Sequence, residues 1–164
     1  MQPCIDDGAK YAMLFLMTNL VEPIIVSACT QPLIRHINRK SWWHVQPLDP
    51  NAYYKRGKFY SSSFEEAEFY GRPGDPERVT VARPLAGDEA YIETTLFGKC
   101  PSDDLLNLYS GKALVTARFA LDARIKKAAV KAGYDSIALM TPRAWSRFQE
   151  VEQLPRSIEL NVFA

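Results

Sequence analysis

The chain has 164 residues, of which 47% are hydrophobic and 24% are charged, and its formal net charge is +1. Such a chain can form one globular domain with a substantial core, and a charge so near zero argues neither for nucleic-acid binding nor for attraction to acidic membranes. The three cysteines, Cys4, Cys29 and Cys100, have no spacing typical of zinc ligands or of a disulfide framework. We therefore expect no metal and a reducing compartment, the cytoplasm.

An apolar segment lies near the start of the sequence, at about residues 9–21. Its pattern predicts a helix that is buried on nearly all sides. Residues 24–37 follow, and their pattern leaves the type of structure open. We interpret residues 1–40 as an N-terminal helical extension and residues 41–164 as the main domain.

The same apolar segment leads into Val26-Ser27-Ala28-Cys29, which resembles a bacterial lipoprotein cleavage box. Acidic residues stand before the segment where a signal peptide needs positive charge, and Glu22-Pro23 interrupts it. These flanks argue against lipoprotein export and against a membrane anchor.

Two short strands, "SWWHVQP" (41–47) and "KFYSS" (58–62), are predicted at the start of the main domain. Ser63 then predicts a helix N-cap, with Glu66 three residues later completing a capping box and Gly71 ending the helix.

Alternating β-branched residues predict a strand over "RVTVARPL" (78–85). Asp88 is expected to cap a helix that stops at Gly98, and "DDLLNLYSG" predicts a short helix that stops at Gly111. The apolar periodicity predicts a further helix from about Asp122 to Gly133.

The last part of the chain predicts a strand at "YDSIALM" (134–140), a loop around 142–146, and a final strand pair at "FQEVEQL" (148–154) and "SIELNVF" (157–163). The elements together predict an α+β domain with a small, mostly antiparallel sheet.

Two familiar classes of site are missing from the sequence. There is no Gly-x-Ser-x-Gly elbow for a serine hydrolase. The glycines of "GRPGDPER" make neither a dinucleotide fingerprint nor a Walker lysine motif.

Glu150 and Glu152 are the carboxylates singled out for chemistry. Residues two apart on a strand face the same side, so the predicted strand at 148–154 would point both carboxylates one way. A solvated strand edge is the alternative explanation of this pair.

The order of several short motifs resembles the ADP-ribosyltransferase superfamily, and specifically its His-Tyr-Glu branch. The likeness spans about residues 42–158. The motifs, in chain order, are His44 on the first strand, "GKFYS" (57–61), Ala67 and Tyr70 on the following helix, "GYDSI" (133–137), and a glutamate ahead of Leu154-Pro155.

This resemblance implies an ADP-ribosyltransferase-like split sheet with flanking helices, and NAD as the substrate. His44 would hydrogen-bond the ribose, and Tyr60 and Tyr70 would sandwich the cationic nicotinamide ring. Ser61 would help to fix either the carboxamide or the geometry of Tyr60. Glu150 would contact the ribose and stabilise the oxocarbenium-like charge that develops as nicotinamide departs.

The sequence departs from the family pattern in three places, which leave open the catalytic carboxylate, the branch and one NAD contact. Gln149, Glu150 and Glu152 compete for the catalytic register. The serine cluster 61–63 and the Glu-x-Glu spacing also resemble the Arg-Ser-Glu branch, in which Glu150 and Glu152 would divide the work, one on the cofactor and one on the acceptor. Val45-Gln46 stands where the family has a small hydroxyl residue.

The predicted function is a mono-ADP-ribosyltransferase that transfers ADP-ribose from NAD to a macromolecule, expected to be a protein. Small relatives of this kind suggest a toxin, an effector or a phage counter-defence protein, acting in the cytoplasm of its own or a target cell. The alternative is an inactive relative that serves as a protein- or nucleotide-binding module. RNA 2'-phosphotransferases of the same superfamily need several basic residues around the phosphate, and that set is not evident here.

Overall fold

The computed structural model describes residues 30–163, and every structural statement below concerns these residues. The helix expected at 9–21 lies outside them. The helices are α1 (Gln31–Arg39), α2 (Ala52–Arg56), α3 (Phe64–Glu68), α4 (Glu89–Phe97), α5 (Ser102–Leu108), α6 (Gly111–Lys131) and α7 (Pro142–Val151). The strands are β1 (Ser41–Trp42), β2 (Lys58–Ser61), β3 (Glu77–Arg78), β4 (Pro84–Gly87), β5 (Ser136–Leu139) and β6 (Glu159–Val162).

Four strands form the main sheet in the order β2-β6-β5-β4. The pairs β2–β6 and β6–β5 are antiparallel, and β5–β4 is parallel. The strands β1 and β3 form a separate antiparallel pair. The prediction of an α+β fold with a small, mostly antiparallel sheet is therefore confirmed.

The two faces of the main sheet carry different hydrophobic clusters. One cluster joins Leu33 and Ile37 of α1 to Trp42 and to Leu160 of β6. The other cluster joins β4 and β5 to α4 and α6, where Ile125 is buried. Residues of β6 alternate between the two faces, so Glu159 lies on the opposite side of the strand from Leu160.

The predicted N-caps at Ser63 and Asp88 and the predicted helix end at Gly98 are confirmed. The Ser63 hydroxyl accepts from the Glu66 amide at 3.2 Å, and the Asp88 carboxylate accepts from the Tyr91 amide at 2.8 Å. Gly98 ends α4 in the left-handed conformation with φ +71. Each cap satisfies a backbone group that the helix leaves without an internal partner.

The predicted continuous strand at 78–85 is wrong. The chain forms β3 and β4 with an irregular connection between them. In the connection, the Asn38 side chain exchanges two hydrogen bonds with the backbone of Val81, at 2.8 and 3.0 Å. The Asp135 carboxylate accepts from the amides of Ala82 and Arg83 at 2.7 and 3.0 Å. Side chains thus replace a partner strand.

The sequence predicts that Gly111 ends a helix, but in the structure Gly111 begins one. Helix α5 ends at Leu108, and α6 runs for 21 residues from Gly111. The first turns of α6 are largely exposed, with Val115 and Phe119 on the surface. The apolar periodicity that indicates a helix therefore appears only from Leu121, where burial begins.

The predicted loop at 142–146 and strand at 148–154 are also wrong, because these residues form α7. The Thr141 hydroxyl caps the helix by accepting from the Ala144 amide at 3.2 Å, and Pro142 stands in the first turn, where its missing N–H costs nothing. Glu150 lies in this helix and Glu152 caps it with φ +54. The two carboxylates consequently share no strand face.

Candidate functional site

A cavity of about 560 Å³ opens beside the main sheet. Its wall is built from the segment after β1, from α2, β2 and α6, and from the first residue of β6. His44, Tyr60, Ser61 and Tyr70 all lie in this wall. The four residues that the family resemblance assigns to NAD binding are therefore brought together.

His44 is fixed at both ring nitrogens. Trp43 exchanges two backbone hydrogen bonds with Ser61, at 3.1 and 2.8 Å, which sets His44 alongside β2. Nδ1 lies 2.7 Å from the Phe59 carbonyl oxygen and must donate to it, so Nε2 of the neutral ring accepts from the Tyr53 hydroxyl at 2.5 Å. Burial lowers the pKa of His44 and favours this neutral form.

Helix α2, which carries Tyr53, is fastened to α6. The Lys126 ammonium donates to the carbonyl oxygens of Tyr53 and Tyr54 at 3.0 and 2.6 Å. The Arg56 guanidinium stacks 3.8 Å from the centre of the Phe119 ring. These contacts hold the Tyr53 hydroxyl at His44 and form one side of the cavity.

Tyr60 presents a buried ring that packs beside His44, with the two ring centres 5.5 Å apart. Its hydroxyl donates to Glu77 at 3.1 Å, and the Lys58 ammonium donates to both oxygens of the same carboxylate. Burial raises the pKa of the Tyr60 hydroxyl. The ring orientation is thus set by an ion pair between β2 and β3.

Tyr70 stands at the rim of the cavity with 64% of its surface exposed. Its hydroxyl donates to Oε2 of Glu159 at 3.2 Å, and the negative charge of Glu159 raises the pKa of that hydroxyl. Tyr70 is therefore an exposed side chain at the rim that contacts a carboxylate of the cavity.

The three consecutive serines have three different roles. Ser61 lines the cavity. The Ser62 hydroxyl accepts from the Ile158 amide at 2.7 Å and donates to the Ile158 carbonyl at 2.9 Å. Ser63 caps α3. The bonds of Ser62 fix the backbone directly before Glu159.

Glu159 is a cavity carboxylate that the sequence reasoning did not single out. It begins β6, pairs in register with Ser61 and Leu139, and lines the cavity. Burial raises the pKa of Glu159. The available signal was the alternation in "SIELNV", which places Glu159 and Asn161 together on the face opposite Ile158 and Leu160.

Asp122 is a second carboxylate of the cavity that was missed. It lies on α6 between the buried residues Leu121 and Ile125, and only 13% of its side chain is exposed. Burial raises its pKa to about 6. A polar residue next to two buried residues of the same helix was the available signal.

Arg118 is the cation that these acidic residues share. It donates to Glu89 at 2.5 Å, and its Nε lies 3.4 Å from Oδ1 of Asp122. Its charge also interacts with those of Glu93 and Glu159. Asp122 and Glu159 line the cavity, and Glu89 and Glu93 border a small adjoining cavity. Four carboxylates around one guanidinium make this region favourable for a cationic group.

Glu150, Glu152 and Gln149 do not line the cavity. All three are exposed, on α7 or at its end. Glu150 accepts from the Ser146 hydroxyl one turn away, at 2.7 Å. The structure thus separates these three candidates from the four residues that it brings together.

Comparisons with protein-family models, with curated proteins and with solved structures found no significant match. Within residues 30–163, no cluster of three or more histidine, cysteine or acidic side chains could hold a metal ion. In the same range, no helix is both long enough and apolar enough to cross a membrane.

Proposed function

We propose that the protein is an NAD-dependent ADP-ribosyltransferase whose cavity holds the nicotinamide riboside half of NAD. The observation that carries the proposal is the convergence of His44, Tyr60, Ser61 and Tyr70 on one cavity that also contains Glu159. The ADP-ribosyltransferase-like fold belongs to this proposal, which rests on the sequence resemblance and on that convergence.

The walls of the cavity suit a flat, positively charged ring. Tyr60 offers a buried aromatic surface, and Tyr70 can close over a ligand from the exposed rim. Aromatic faces attract cations, and the acidic end of the cavity adds to that attraction. A ribose hydroxyl would take the place of the Tyr53 hydroxyl at Nε2 of His44.

Glu159 takes the role that the sequence resemblance gave to Glu150. When the bond between nicotinamide and ribose breaks, positive charge develops on the sugar, and a nearby carboxylate stabilises that charge. Glu159 is suited to this role because burial preserves the strength of its field and Ser62 fixes its backbone. Ligand entry would release it from the Tyr70 hydroxyl.

The proposal is tested by incubating the purified chain with NAD labelled in its adenylate half and a cell lysate. We expect label on a macromolecule and one equivalent of nicotinamide released for each transfer or hydrolysis. NAD binding without nicotinamide release would contradict the enzyme and favour a nucleotide-binding module.

A further inference from the structure

Resting on the proposed function, we propose that Asp122 is a second catalytic carboxylate, the general base that deprotonates a hydroxyl acceptor. Nothing in the sequence motifs assigns a role to this residue. A general base at this position implies that the acceptor is water or an alcohol rather than a carboxylate.

The position of Asp122 supports direct contact with substrates. Its carboxylate lines the same cavity as Glu159, and both residues also border a smaller adjoining cavity of about 40 Å³. Within the described residues, no donor hydrogen-bonds to it, and its nearest partner is the Arg118 guanidinium at 3.4 Å. The ion pair engages Oδ1, so the carboxylate can still accept a proton from a ligand in the cavity.

The charged groups facing Asp122 come from several elements. Arg118 of α6 and Arg56 of α2 favour its ionised form, whereas Glu159 of β6 and Glu89 of α4 disfavour it. Burial is the largest effect and raises the pKa of Asp122 to about 6. The group is therefore mostly ionised at pH 7 and still basic enough to take up a proton in a transition state.

The bond between C1' of the ribose and the nicotinamide nitrogen breaks, and its electron pair stays on nicotinamide, which leaves as a neutral molecule. The acceptor oxygen forms a bond to C1', and its proton passes to the Asp122 carboxylate and then to solvent. Glu159 faces the developing sugar cation throughout.

The acidic surroundings select against anionic acceptors. Glu89, Glu93, Asp122 and Glu159 all lie around Arg118, so a carboxylate acceptor would add a further negative charge to this region. A carboxylate would also need no base. A hydroxyl is neutral and must lose a proton, which matches what Asp122 supplies.

The test compares nicotinamide release from NAD, with water as the acceptor, in the parent, Asp122→Asn and Asp122→Glu. We expect the parent rate to rise with pH through about 6 and then level off. Asp122→Asn should lose roughly a hundredfold or more and lack this rise, as expected for a missing general base. Asp122→Glu should keep part of the rate. Asp104→Asn, an exposed change on α5, should leave the rate and its pH profile unchanged.

Azide provides a second readout because it attacks C1' without losing a proton, and because Asp122→Asn removes one of the negative charges that would repel an anion. It should restore nicotinamide release in Asp122→Asn but not in Glu159→Gln, provided that melting and NAD binding show both variants to be folded.

If the parent releases no nicotinamide, the proposed function fails and this inference fails with it. If the parent turns over but Asp122→Asn keeps its rate and pH profile, only this inference fails. If Asp122→Asn does not fold, a parent rate of nicotinamide release that does not change through pH 6 overturns this inference.

Discussion

Two substitutions at Tyr60 can distinguish what its aromatic ring and its hydroxyl each contribute to NAD binding. Tyr60 lines the cavity and packs its ring beside His44, whereas its hydroxyl is bound to Glu77, which Lys58 also holds with two hydrogen bonds. Tyr60→Ala should therefore weaken NAD binding by roughly 1–3 kcal/mol through lost apolar area and lost cation–π attraction. Tyr60→Phe should cost much less, because the ring remains and Glu77 keeps Lys58.

Calorimetry with a non-hydrolysable NAD analogue measures both changes. Equal losses for the two variants would show that the hydroxyl, and not the ring face, binds the ligand.

Asp122 should reduce stability at neutral pH. Its folded-state pKa of about 6 lies above the ordinary 3.8, so the folded protein holds that proton more tightly than the unfolded chain. Stability attributable to this group is therefore lost as pH rises from about 4 to about 6. We expect Asp122→Asn to be more stable than the parent above pH 6, by on the order of 2–3 kcal/mol, and nearly equal to it below pH 4.

Urea unfolding of both proteins across this pH range gives the difference directly. A stability difference that does not change with pH would contradict the placement of Asp122 in a desolvated cavity.

At the scale of elements, Ser62 joins β2 to the residue that precedes β6. Replacing it with alanine leaves the buried Ile158 amide without its partner, which should cost about 1–3 kcal/mol of unfolding free energy. Ser63→Ala is a neighbouring comparison, because it removes only a helix cap, worth about 1 kcal/mol.

Denaturant unfolding measures both variants, and nicotinamide release should fall further in Ser62→Ala, since Glu159 follows Ile158. A Ser62→Ala protein with parental stability and parental release would show that this link between the strands does not position Glu159.

Local signals explain which elements could be read from the sequence. The caps at Ser63 and Asp88 depend on residues three apart, so their pattern is visible in a short window. Thr141-Pro142 is a helix-start pattern, and α7 does begin there. The aromatic and charged residues that follow favour a loop and a strand instead, so the sequence does not predict this helix. The continuous strand predicted at 78–85 does not form, because the side chains of Asn38 and Asp135, and not a neighbouring strand, bind the backbone of residues 81–83.

At the scale of the whole molecule, residues close in sequence were easier to place than residues brought together by the sheet. His44, Tyr60, Ser61 and Tyr70 fall within 27 residues of the chain, and neighbouring elements carry them to one cavity. Glu159 reaches the cavity only through the pairing of β6 between β2 and β5, which no local motif specifies. Asp122 likewise depends on which face of α6 packs on that sheet.

The most direct test of the central claim, that this cavity is the catalytic site with Glu159 as its carboxylate, compares nicotinamide release from NAD by Glu159→Gln and by Glu150→Gln. Glu159→Gln preserves shape but deletes the charge, so NAD binding should persist while release falls by about a few hundredfold, or 3–4 kcal/mol. Glu150→Gln, exposed and outside the cavity, should release nicotinamide at the parental rate. Full release by Glu159→Gln, or a large loss in Glu150→Gln alone, would contradict this account.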